Sequence, residues 1–294
     1  MAIQSAEDES RSTWRQFLDA VGALPERIGD TVGIVIDFFI LERNLAVRNL
    51  RLQSADNPFG ALSASLRYFF VVNAHIWAFW GMGRANPGGT SWFIFFTAGF
   101  STYILFGVGR TSIPSKALNP SSMSLNIKWI HLFIAALIAE SIKIIVAFII
   151  QMIYYAIFPV KYMGHMVVFP DLPLLAACWM VSMATGIGIG LIVYTAIRIW
   201  PMLESVTETF FWALFMTSGV YMPLSNYPPT VVPLFEYSPL LTAIEYSRHA
   251  LDPAYPINDG LSLVRAAAIA FSTLLFGLAF RRIASRRHLS WIPR

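Results

Sequence analysis

Between Thr209 and Arg248 an apolar, aromatic run meets a cluster of prolines, and this junction limits what the chain can become. Phe210, Phe211, Trp212, Phe215 and Met216 read as a helix that runs into Ser218 and Gly219. Pro223, Pro228 and Pro229 follow within ten residues of that point. A proline inside a helix removes a backbone hydrogen bond and clashes with the preceding turn. Tyr237-Ser-Pro-Leu-Leu then opens a second helix that carries Glu245 and Arg248. The pattern predicts a membrane helix that exits, breaks and partly re-enters before a final span. Broken backbone at membrane depth is tolerated only where it is buried in protein or lines a wet cavity. The stretch is therefore the place where something would cross.

Composition supports the membrane setting. Of 294 residues, 56% are hydrophobic and only 13% charged, against about 25% charged in soluble domains. The mean hydropathy is +0.58. One cysteine, Cys178, rules out an intrachain disulfide framework or a cysteine-based metal site. The first 30 residues mix both charges and lack the apolar core of a signal peptide, so they read as a cytoplasmic tail. The net charge of +4 does not point to nucleic acid, because the arginines concentrate beside apolar segments.

Residues 31–56 alternate apolar positions with Asp37, Glu42, Arg43, Arg48 and Arg51. The uninterrupted apolar part is too short to span, so an amphipathic helix on the cytoplasmic face fits, with an ordinary soluble helix as the alternative. The remaining 57–294 read as one all-α polytopic domain with six spans, at about 59–82, 91–108, 129–158, 174–197, 205–222 and 263–280. Residues 223–262 form an external segment. Counting Lys and Arg places both termini inside, with Arg84, Lys161 and Arg248 on outer segments. The third helix is longer than the bilayer core of ~30 Å, which puts Glu140 and Lys143, three residues apart, near the inner interface. They read as a mutual pair or as an intramembrane functional site. Gly186, Gly188 and Gly190 lie mid-span and read as close helix packing, not as a nucleotide loop.

Several chemistries are missing. There is no G-x-x-x-x-G-K-[ST] for ATP, and the five histidines have no metal spacing. His165 with Asp171, or His249 with Asp252, could form an external acid–base pair or simply be solvated loop residues. Carboxylates along the spans are few, Glu140 and at most Glu204 and Glu208, which argues against proton-coupled transport. Aromatic residues are plentiful. Trp77, Trp80, Phe211, Trp212, Phe215 and Tyr221 are candidates to face a translocation path, where rings offer flat apolar faces with polar handles. The alternative is lipid-facing bulk and an interfacial belt.

The run SGVYMPLSNYPPTVVPLFEYSPLLTAIEYSR, with the amphipathic helix and six spans, resembles the membrane subunit of ABC-2 type exporters, most closely the capsule and O-antigen polysaccharide branch. The matching positions are Ser218, Gly219, Tyr221, Pro223, Leu224, Ser225, Pro228, Ser238, Pro239, Leu240, Glu245 and Arg248. Ser238 stands where that family has Asn, and Ser63 where it has Trp in the first span. The resemblance implies a homodimer docked on two separate ABC ATPase subunits, which would hold ATP and magnesium, so no cofactor is expected in this chain. It implies a lipid-linked polysaccharide as cargo, continued in capsule systems by a periplasmic adaptor and an outer-membrane channel. Residues 223–252 would form two short external gate helices. Arg43, Arg48, Arg51, Arg110 and Lys116 would lie where the family couples to its ATPase. The rivals are an ABC-2 exporter of a drug or lipid, and a membrane-embedded glycosyl- or acyltransferase.

Overall fold

A computed structural model describes residues 40, 41, 43–47, 60–84, 87–112, 114, 129–157 and 171–287. All regular structure among these residues is helical. Eight α-helices follow one another: α1 Gly60–Gly81, α2 Trp92–Arg110, α3 Trp129–Ile157, α4 Leu172–Ile199, α5 Leu203–Thr217, α6 Val232–Phe235, α7 Pro239–Leu251 and α8 Leu263–Arg287. Residues 40, 41 and 43–47 are helical as well, with Leu45 and Ala46 buried and Arg43 exposed. The 1–30 tail, most of the amphipathic segment with Arg48 and Arg51, Lys116 and its connection, and the loop with His165 lie outside the described residues.

Four helices are long and apolar enough to cross a membrane, and they correspond to α2, α3, α4 and α8. α1 has the length, at 22 residues, but carries Arg67, Asn73 and His75. α5 differs from its expected 205–222. It stops at Thr217 after 15 residues, about 22 Å against a core of ~30 Å. The reason is local: Gly219 takes a φ of 88°, which ends the helix in a conformation that glycine adopts without strain. α8 runs past 280 to Arg287 and so takes in part of the arginine-rich tail.

Helix starts follow local chemistry. Ser91 caps α2 by accepting from the Ile94 N–H at 3.2 Å. Asp171 caps α4 through Leu174, and Pro173 sits in its first turn. Each cap satisfies a donor that the helix end leaves open.

α4 is the centre of the packing, with α2 and α8 against it and α7 laid over α2 and α4. The glycines of α4 explain the closeness. A Cβ at Gly186 or Gly190 would strike the backbone of Phe106 or Arg110 on α2. Gly188, 200° round the helix from Gly186 at 100° per residue, faces α8, where a Cβ would meet Thr273 and Leu274. Gly109 and Gly277 return the approach from α2 and α8. Bare backbones let apolar helices pack where no hydrophobic force drives them together. Polar groups add to this: Ser182 donates to the Thr102 carbonyl at 2.7 Å, and Thr102 donates to Ser247 on α7 at 3.0 Å.

α1 leans on α3 and α2. Asn73 donates to Gln151 of α3 at 2.8 Å, and Ser65 donates to the Lys143 carbonyl at 2.9 Å. Glu140 and Lys143 form an ion pair at 2.5 Å, both buried. Their pairing matches the structural reading of that motif.

Candidate functional site: a broken helix above an aromatic column

The break after α5 is held from beneath. Ser218 caps the end, and Gly219 and Val220 turn away with carbonyls that no helical N–H reaches. Arg248 of α7 supplies the donors. Its Nη2 donates to the Gly219 oxygen at 2.5 Å and to the Val220 oxygen at 3.1 Å. Nη1 donates to Glu245 at 2.8 Å, and Nε reaches the Phe95 carbonyl of α2 at 3.4 Å. The guanidinium lies 3.5 Å from the Phe95 ring centroid, and Gly99 leaves it room.

Glu245 closes the knot. Its carboxylate accepts from Arg248, from the Tyr255 hydroxyl at 2.9 Å and from the Leu224 N–H at 3.3 Å. Three separate segments thereby share one carboxyl group. Burial pushes the Glu245 carboxyl above its usual range, against the pull of Arg248 and the hydrogen bonds from Tyr255 and Leu224. Burial likewise raises the Tyr255 hydroxyl. Arg248 is wholly buried within α7, so its charge is spent on these partners and not on solvent. A buried guanidinium survives only where its donors are met, and here they are.

The segment beyond the break is shorter in helix than the resemblance implied. Pro223 leads into a single 3-10 turn at Leu224–Asn226 with Leu224 buried, while Ser225 and Pro228 are exposed. α6 is one turn of four residues. α7 is the substantial element: Ser238 caps it, Pro239 occupies its first position, and it continues beyond Arg248 to Leu251. His249 and Asp252 do not pair. His249 Nδ1 bonds the Tyr255 carbonyl at 2.9 Å, whereas Asp252 accepts from Thr90 at 2.5 Å. The external acid–base reading of that pair fails on geometry.

Below the break lies a column of rings between α1, α2 and α5. Tyr221 meets Phe215 at 5.2 Å, Phe100 at 6.2 Å and Phe79 at 6.2 Å. Phe215 meets Tyr103 at 4.6 Å, Tyr103 meets Phe106 at 5.8 Å, and Phe106 meets Phe211 at 6.4 Å. Phe211 and Phe215, one turn apart, face α2 together. At the far end the Arg110 guanidinium lies 3.9 Å from the Phe211 ring centroid. One polar rung crosses the column. His75 Nδ1 lies 2.7 Å from the Val71 carbonyl and must donate to it, so in the neutral ring Nε2 accepts from the Tyr221 hydroxyl at 3.0 Å.

The six aromatic candidates therefore divide. Phe211, Phe215 and Tyr221 belong to the column, and Trp80 packs against the same cluster. Trp77 is 43% exposed and touches Trp80 edge-on, and Trp212, 66% exposed, points away from the column. Sequence reasoning passed over His75, Phe100 and Tyr103. The signal was there, because Phe96, Phe100, Tyr103 and Arg110 recur at helical spacing along α2. Glu245, named in the sequence only as a position of the broken segment, proves to be a buried carboxylate shared by three segments. No group of three or more His, Cys, Asp or Glu that could hold a metal occurs among the described residues.

No family model matches the chain. It is similar to two sequences of the polysialic acid transport protein KpsM from Escherichia coli, at 31% and 30% identity over 108 residues. The matched part is 37% of this chain, and it spans 42% of the length of each of those relatives. The chain thus resembles polysaccharide transport proteins across a segment of each, which agrees with the branch that its sequence motif suggested.

Proposed function

We propose that the chain is the membrane-spanning subunit of an ATP-driven exporter that moves a polysaccharide, carried on a lipid, across a bacterial inner membrane. The observation that carries the reading is the match to the two polysialic acid transport proteins. The geometry supports it, since the half-buried rings of the column, Tyr103, Phe215 and Tyr221, offer faces on which sugar rings can slide, and the broken helix above them is a place where passage can be stopped. In this reading α1 and α5 complete six spans with both termini cytoplasmic, and the segment from Pro223 to Asp252 is an external gate. Phe211, Phe215 and Tyr221 line the path, Trp80 flanks it, and Trp77 and Trp212 face lipid or a second copy of the chain.

Two such subunits would dock on two ABC ATPase subunits that supply the ATP and magnesium chemistry. Arg43, Arg48, Arg51 and Lys116 remain the residues proposed to face the ATPase. Arg110, folded onto Phe211, is better used inside the path. A periplasmic adaptor and an outer-membrane channel would extend the route. A drug or lipid as cargo is the second choice, and the aromatic column favours rings over acyl chains. A transferase would need acids or histidines converging on one face.

The test is complementation. A strain lacking the chain should lose surface polysaccharide, and the chain should co-purify with an ATPase whose activity it stimulates. Phe211→Ala with Phe215→Ala should reduce export while leaving membrane insertion intact. Failure to bind or stimulate any ATPase would remove the exporter reading.

A further inference from the structure

The column has one open side. Along α2, Tyr103 and Arg110 are half-buried, and a Cβ placed on Gly107 between them meets nothing within 4 Å among the described residues. Positions 103, 107 and 110 stand one above another on a helix, so the missing side chain leaves a notch one residue wide. Phe211 is buried beneath the Arg110 guanidinium and serves as its seat, while the half-buried Phe215 beside Tyr103 makes one side of the notch aromatic.

The polar groups bordering the notch are uncommitted. The Arg110 guanidinium makes no hydrogen bond and no ion pair among the described residues, although it carries five donors. The Tyr103 hydroxyl makes no hydrogen bond among them either. Glu208, one turn before Phe211 on α5, lies within electrostatic reach of Arg110 without forming an ion pair. A guanidinium parked flat on a ring with its edge free is arranged to take a planar anion in two parallel hydrogen bonds. A sugar ring with an apolar face and a carboxylate would satisfy both the aromatic side and that edge.

We propose that the notch formed by Tyr103, Gly107 and Arg110 over Phe211 is a subsite for an anionic sugar unit. Arg110 receives the carboxylate, Tyr103 bonds a ring hydroxyl, and Gly107 provides the space. Glu208 competes with the cargo for Arg110 and keeps the subsite from holding it too tightly. The inference rests on the exporter reading for its cargo class but concerns binding by this chain alone.

The test is binding of a fluorescently labelled sialic acid tetramer to the purified full chain in detergent, with labelled maltotetraose as the neutral control. Vesicles containing an anionic phospholipid and inorganic phosphate serve as competitors. Wild-type protein should prefer the acidic oligomer. Arg110→Gln should weaken it about tenfold or more, with Arg110→Lys in between, because a lysine lacks the planar fork. Gly107→Leu should block binding with the charge unchanged, and Glu208→Gln should tighten it several-fold. Unaltered thermal melting and elution of each variant separate binding from folding. The subsite is overturned if wild type binds neither oligomer, binds both equally, or binds the acidic one undiminished in Arg110→Gln. It is overturned in favour of a lipid headgroup site if anionic vesicles or phosphate compete as well as the tetramer does. Each of these failures leaves complementation and ATPase binding untouched, so the exporter reading is judged separately.

Discussion

Two arginines, one at each end of the aromatic column, lie on aromatic rings at nearly the same distance. Arg248 is 3.5 Å from the Phe95 centroid and Arg110 is 3.9 Å from that of Phe211. Their surroundings are opposite. Arg248 is wholly buried, with the Gly219, Val220 and Phe95 carbonyls and Glu245 taking its donors. Arg110 is half-buried, and its donors meet nothing among the described residues. The ring contact is therefore not what sets an arginine's role. A guanidinium with every donor met belongs to the framework, and one with free donors is available to a ligand.

The comparison can be broken most directly at its closed end. Arg248→Met should cost about 3–5 kcal/mol, because it strands Glu245 and three carbonyls in a buried site. The effect should read as a large drop in melting temperature and in the yield of membrane-inserted protein. Combining it with Glu245→Met should recover part of the loss, since removing both charges leaves no uncompensated ion. If the single variant melts like wild type, the knot does not hold the break.

A smaller effect is expected on the wall behind the open end. Gly190→Ala should destabilise by roughly 1–3 kcal/mol, because its Cβ meets the Arg110 carbonyl and must push α2 away from α4. Thermal melting would measure it, and an unchanged midpoint would mean that the two backbones are not in contact. Tyr221→Phe removes only the hydroxyl that meets His75 and should cost about 1 kcal/mol, read by the same melt. Arg110→Gln sits at the end of the scale. It should cost no more than about 1 kcal/mol, the worth of a partly exposed ring contact. A large loss there would show that Arg110 is framework after all, and the contrast would collapse.

Much of this architecture was legible in the chain. The boundaries of α2, α3 and α4 fall within a few residues of the apolar runs, because a stretch rich in large apolar residues has few alternatives to a membrane helix. Ser238-Pro239 marks the start of α7 by cap chemistry alone. The GIGIG run pointed to close packing, although not to its division between two partners. The prolines from Pro223 onward suggest a break after a helix to 222, whereas the helix ends at Thr217 and the chain turns at Gly219. Hydropathy does not see where a backbone turns.

Residue roles were less accessible. Arg248 and Arg110 look alike in sequence, each beside an apolar run; the charge count sets Arg248 on an outer segment, and the family resemblance sets Arg110 on a coupling surface. Phe211 and Trp212 are neighbours with similar chemistry, yet one lies under Arg110 and the other is 66% exposed. Which face of α5 turns towards α2 depends on contacts from helices more than 100 residues away.

The sequence by itself determined a helical membrane protein with a broken segment before the last span, because apolar length, prolines and glycines act locally on the backbone. Only the tertiary structure decided which arginine is sealed and which is open. That depends on whether distant carbonyls and a carboxylate converge on the guanidinium, and convergence of this kind is a property of packing that no local pattern carries.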